Sequence, residues 1–174
     1  GAWAFERNST MRSVVNGRYV GIVRDDYEYA GGAHPNRSAD TILWDKTARK
    51  RISIRPFFLE TADDGATLKA MRQGVIASLK LEKKARGAEG ADLNLIEGIE
   101  PKLLKIGPVS LAPSTESGKS AGLTFHYAPY VVGSYAEGSY VAFVPWETLK
   151  PYLTPEGMAI FAGARPKGDD DGQR

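Results

Sequence analysis

The side chains able to do covalent or metal chemistry are few. The chain has two histidines and no cysteine, so thiolate nucleophiles, disulfides and thiolate metal sites are excluded. His34 sits in the densest run of special residues, Tyr27-Glu28-Tyr29-Ala30-Gly31-Gly32-Ala33-His34-Pro35-Asn36. A histidine on a glycine-bearing loop, paired with a carboxylate such as Asp45, is the makings of a general-base site for hydrolysis. The competing reading is structural: the ring anchors a chain reversal by hydrogen bonding to backbone groups. His126 falls in an alternating run, Leu123 to Tyr127. It reads as a solvent-face residue or as one bonded to a neighbouring strand.

Other motifs fail on spacing. No pair of histidines has metal-ligand spacing, and no serine occupies a Gly-x-Ser-x-Gly elbow. Gly118-Lys119-Ser120 matches the end of a phosphate-binding loop, but Pro113 stands where that motif's first glycine belongs. Asp25-Asp26 and Asp63-Asp64 are sequence neighbours, and on a strand neighbours point to opposite faces. The residues therefore indicate no catalytic constellation, no metal site and no cofactor.

Composition narrows the partners. The chain has 174 residues, 42% hydrophobic and 25% charged, with a net charge of +2. That is enough chain for one well-buried core. The charge balance does not point to nucleic acid, and the only tight basic cluster is Lys80, Lys83, Lys84 and Arg86. Those four close a helix, where the backbone dipole favours cations. No apolar run approaches the length of a membrane span.

The elements that must position His34 follow from pattern. Asn16-Gly17 predicts a hairpin turn, since both residues tolerate positive φ. Tyr19, Gly21, Val23, Asp25, Tyr27 and Tyr29 alternate along one face of a strand, with a bulge or bend expected at Asp25-Asp26. Gly31-Gly32 ends that strand, residues 39–45 resume it, and residues 51–54 return beside it. Leu68, Met71, Val75 and Leu79 carry the buried stripe of a helix over about 65–84, with Asp63 or Asp64 as its cap. Strands are expected around Val109 to Leu111, from Gly122 to Tyr130, and from Ser139 to Val144. Short helices follow at Pro145 and at Thr154-Pro155-Glu156, the last with threonine as cap. The fold class is α+β: a largely antiparallel sheet with one long helix and short C-terminal helices packed on it.

Two runs in this order carry a family resemblance. The first is Tyr29-Ala30-Gly31-Gly32-Ala33-His34, followed by Thr41 to Asp45, Ile52-Ser53-Ile54 and Phe57-Phe58. The second is Gly122-Leu123-Thr124-Phe125 with Tyr130 and Tyr135-Ala136-Glu137-Gly138, then Val141 to Pro145 and Leu149. Together they resemble a bacterial domain of unknown function found at the C-terminus of RsiV-type anti-sigma factors and of some peptidoglycan deacetylases. The resemblance covers roughly residues 19–153. It implies an extracytoplasmic domain, periplasmic or secreted, over 19–164. Residues 1–18 are then a remnant of an N-terminal companion module, with a disordered polar tail over 165–174. In RsiV-type receptors the domain takes part in binding lysozyme. The membrane span, sigma-binding segment and deacetylase domain of those proteins have no counterpart here, so signalling and catalysis are not carried over.

The reading that follows is a non-enzymatic envelope binding module recognising lysozyme or a cell-wall glycan. Its candidate contact residues are Tyr29, Gly31, Gly32, His34, Asp45, Tyr130 and Tyr135. The alternatives are a cell-wall hydrolase using His34 with Asp45, and a structural or oligomerising accessory domain. Oligomeric state is left open.

Overall fold

A computed structural model describes residues 2–169. Among the described residues, seven strands form two antiparallel sheets. The first contains β1 (Ala4–Val15), β2 (Tyr19–Tyr29), β3 (Asn36–Asp45) and β4 (Lys50–Ile52), in chain order. The second contains β5 (Val109–Leu111), β6 (Gly122–Tyr127) and β7 (Tyr140–Pro145), again in chain order. The helices are α1 (Ala66–Ala85), α2 (Leu93–Glu97), α3 (Trp146–Leu149) and α4 (Pro155–Ile160). The α+β class holds, with the strands divided between two sheets. Among the described residues, no helix is long and apolar enough to cross a membrane.

Asn16 and Gly17, at φ 52° and 61°, turn β1 into β2. Residues 4–15 are thus paired along their length with β2, in the same sheet as the rest of the first half. The irregularity expected at Asp25-Asp26 lies instead in β1, where the register shifts between Met11 and Ser13. The second aspartate is accommodated within the ladder because Arg7 on β1 donates to both its carboxylate oxygens, at 2.7 and 2.8 Å.

The strands of the first sheet outrun the body. Their turn-proximal ends bury Val15, Tyr19, Val23 and Leu43, whereas β1 from Ala4 to Met11 is exposed throughout. The second sheet is covered more completely, and all six residues of β6 are buried. The α1 helix packs on β7: Gly74 leaves no room for a Cβ against Val144, and Ser78 Oγ accepts a hydrogen bond from the Phe143 amide at 2.9 Å. A helix thereby closes a strand edge.

The buried stripe of α1 is Leu68, Met71, Val75 and Leu79. Its cap is not an aspartate. Gly65 occupies the cap position, and Glu60 accepts from the amides of Ala62 and Thr67, at 2.7 and 3.0 Å. A carboxylate reaching back from the preceding loop satisfies orphan donors as well as a residue at the cap would. Thr154 does cap α4, accepting from the Gly157 amide at 3.1 Å. The Asp169 carboxylate, in the part of the polar tail that is described, accepts from Arg12 and Arg165 at 2.8 and 2.7 Å. Residues 170–174 of the expected tail lie outside the described residues.

Candidate functional site

The β2–β3 hairpin carries Gly31 and Gly32 at its tip, with φ 93° and 119°, and nothing crowds the position of either absent Cβ. Left-handed backbone is what requires glycine there. The Tyr29 hydroxyl donates across the tip to the Gly32 carbonyl at 3.2 Å. The turn presents His34 to the loop between β6 and β7. The imidazole stacks on Tyr135 with centroids 4.5 Å apart and planes 26° apart, and Tyr135 in turn lies 5.3 Å from Tyr130. Three aromatic side chains from two distant stretches thus form one row. Among the described residues His34 makes no hydrogen bond, so the backbone-anchor expectation is corrected: the contact is ring on ring. Tyr130 is exposed and holds φ 75°, a conformation costly for a bulky residue and concentrated at functional positions.

The loop bearing Tyr135 is fixed from below by Lys83 and Arg86, whose partners the sequence did not reveal. Lys83 is buried, with its ammonium 2.9 Å from Glu137 Oε2 and 5.1 Å from the centre of the Tyr140 ring. Tyr140 also donates its hydroxyl to that carboxylate at 3.2 Å. Arg86 donates to the carbonyls of Glu137 and Ser139, both at 2.9 Å, and lies over the Tyr140 ring at 4.0 Å. Two members of the basic cluster are therefore internal anchors, not solvated cations. Helix amphipathicity had hidden this, because a lysine stem covers apolar surface like any other long chain. Gly133 leaves the Glu137 carboxylate the space that a Cβ would occupy.

Beside the aromatic row, a cleft of about 620 Å³ opens between the hairpin and residues 128–139. Tyr27 and Tyr135 line it with Asp25, Asn8, Arg37 and Ser139. The register explains the convergence: Asn8 pairs with Asp25 across β1–β2, and Tyr27 pairs with Arg37 across β2–β3, so these side chains share one face. Arg37 lies over the Tyr27 ring at 5.3 Å. Burial pushes the Asp25 carboxyl above the usual carboxylate range; Arg37 opposes that shift and Asp26 adds to it.

No protein-family model matches the sequence, and no curated protein does. Solved structures do match. A DUF3298 family protein from Pseudomonas aeruginosa PAO1 aligns over 92% of this chain with a TM-score of 0.66 and 18% identity. A member of the DUF3298 family from Bacteroides fragilis aligns over 91% with a TM-score of 0.64 and 18% identity. The chain shares the DUF3298 fold. It spans 65% and 58% of the length of these two neighbours.

Within this DUF3298 fold the remaining site candidates separate. Asp45 lies at the opposite end of the hairpin from His34: it pairs with Tyr19, whereas Asn36 pairs with Glu28. Nine residue steps along β3 lead from Asn36 to Asp45, roughly 30 Å at about 3.3 Å per residue. The His34–Asp45 pair named for hydrolysis is not brought together. Asp45 instead receives two hydrogen bonds from Arg18, at 3.0 and 2.9 Å, and others from the amides of Thr47 and Ala48. The Arg18 bonds, with those amides, hold its carboxyl down at about 2. That is the signature of a turn-stabilising carboxylate.

Of the two readings of His126, the bond to a neighbouring strand holds and the solvent-face one does not. Both faces of β6 are covered, and its Nε2 lies 2.8 Å from Ser110 Oγ on β5. A serine beside a histidine has the geometry of an activated nucleophile. Ser110, however, is 3% exposed and lies outside the lining of the neighbouring groove, which His126 does reach. A substrate carbonyl has no approach to that hydroxyl. Among the described residues, no group of three or more histidine and carboxylate side chains is placed to hold a metal.

Proposed function

We propose that this domain is a non-enzymatic binding module of the bacterial cell envelope that holds a cell-wall glycan in the hairpin cleft. The observation that carries the reading is the convergence of Tyr27 and Tyr135 with Asp25, Asn8 and Arg37 in one cleft. Sugar rings present apolar C–H faces that stack on aromatic rings, and hydroxyls that bond carboxylates, amides and guanidinium groups. A row of rings held by a buried network presents such a surface at little cost in ordering entropy. The resemblance to the domain of RsiV-type receptors and peptidoglycan deacetylases supports the envelope location and the ligand class.

A second reading, lysozyme as the bound protein, rests on that resemblance and on the acidic side chains of the projecting hairpin. Glu6, opposite Tyr27, and Asp25, opposite Asn8, share one face of the projecting β1–β2 ladder. They offer a local patch to a basic partner despite the chain's +2 charge.

Calorimetry with soluble peptidoglycan fragments and, separately, with lysozyme tests both readings. Fragment binding that weakens about tenfold or more in Tyr135→Ala, with fragments recovered uncleaved, is the expected result. Binding of lysozyme alone favours the second reading. Binding of neither, or fragment affinity indifferent to Tyr135, overturns the site. Cleavage of the fragments overturns the non-enzymatic role.

A further inference from the structure

A second and larger groove, of about 860 Å³, runs along the other edge of the hairpin. One wall is β3. The β4 strand pairs only with Leu43, Trp44 and Asp45, so among the described residues β3 from Asn36 to Ile42 has a strand on one side alone. Which backbone groups face the groove follows from the ladder. The Thr41 amide donates to the Asp40 side chain at 2.8 Å, and the Thr41 carbonyl accepts from Arg51 at 2.8 Å. Thr41 therefore points its backbone groups away from β2. Outward direction alternates along an antiparallel strand, so Arg37 and Ala39 also turn their N–H and C=O toward the groove. Among the described residues nothing bonds those four groups. Asp40 and Arg51 blunt the edge at Thr41, as side chains commonly do at free edges, and leave it open beyond.

The opposite wall is apolar, with Ile99, Leu103, Ile106 and Val109. Leu104 beside them is 92% exposed. The groove is lined by Arg37, Arg51, Arg55 and Lys105 against Asp40 and Glu100, and cations prevail.

We propose that this groove binds an extended peptide segment of another protein, which adds as a strand to β3 beside Arg37 and Ala39. Donor and acceptor pairs recurring every second residue match another extended backbone. From Arg37 to Thr41 the edge measures about 13 Å, room for roughly five peptide residues. The preferred segment alternates apolar residues, directed at the Ile99–Val109 wall, with acidic residues, directed at the arginines. The groove meets the hairpin cleft at Arg37, Ser38 and Ala128, but strand addition along β3 does not depend on a glycan binding in that cleft.

The test uses three capped hexapeptides: alternating Val-Glu, alternating Val-Lys, and the Val-Glu peptide N-methylated at every second residue. Amide hydrogen exchange of the whole domain is followed by NMR. The Val-Glu peptide slows exchange at the Arg37 and Ala39 amides about tenfold or more at about 1 mM, and the Val-Lys and N-methylated peptides do not. Ala39→Pro removes one groove-facing donor and abolishes the protection at Arg37. Arg51→Glu weakens the binding at least as much, and serves should the proline variant fail to fold. Failure of the Val-Glu peptide to protect these amides at that concentration overturns the proposal. So does equal protection by all three peptides, or protection confined to β1.

Discussion

Glu137→Gln tests whether the aromatic row is held from inside. The Lys83 side chain is 1% exposed and Glu137 is 13% exposed, with 2.9 Å between the charged atoms. Removing one member of a buried pair leaves an uncompensated charge, typically a loss of about 3–5 kcal/mol. Glu137 retains some solvent, and the Tyr140 face 5.1 Å from the ammonium contributes on the order of 1 kcal/mol. The expected loss therefore sits at the lower end, about 3 kcal/mol. For a chain of this length that corresponds to a Tm about 6–12 °C lower. Urea and thermal unfolding measure it. The double variant Lys83→Met/Glu137→Leu removes both charges and returns to within about 1 kcal/mol of wild type. The same loop carries Tyr135, so Glu137→Gln also shifts the His34 ring resonances, which sense the stacked tyrosine. A Glu137→Gln protein within about 1 kcal/mol of wild type, with His34 undisturbed, refutes the anchoring role.

Two of the perturbed carboxyls, Asp45 and Asp25, shift in opposite directions. Asp45 is held at about 2, below its ordinary 3.8. Its contribution is fully present above the unfolded value and is lost as pH falls from about 4 toward about 2. Asp45→Asn therefore lowers Tm at neutral pH, and the gap to wild type closes over that window; a gap independent of pH contradicts the assignment. Asp25 is raised by burial, so its charged form costs stability as pH rises past the ordinary carboxylate range. Asp25→Asn raises Tm at neutral pH, loses that advantage in acid, and weakens ligand binding in the hairpin cleft. A neutral-pH Tm below wild type shows that Asp25 earns its place by an interaction stronger than its burial penalty.

Local signals were legible where the interaction itself is local. Asn16-Gly17 is a turn because both residues accept positive φ. Thr154 caps α4 through a bond that reaches only three residues ahead, to the Gly157 amide. Leu68, Met71, Val75 and Leu79 share a face whatever they pack against. His34, Tyr130 and Tyr135 were recognisable as candidates from residue type and setting, although nothing in their order showed that they stack. Asp45 was chosen for its chemistry alone, and its partner Arg18, one hairpin turn away, makes it structural.

By itself the sequence determined the α+β class, the antiparallel hairpins, the buried stripe of α1 and the glycine-bearing tip. Each of these depends on backbone preference or on a period of a few residues. Tertiary structure alone decided that Lys83 meets Glu137, 54 positions away, that His126 is interior, and that β3 leaves part of its edge open. Those outcomes depend on which surfaces the two sheets and α1 cover. Charge, exposure and unpaired backbone are properties of that covering, so no window of the chain contains them.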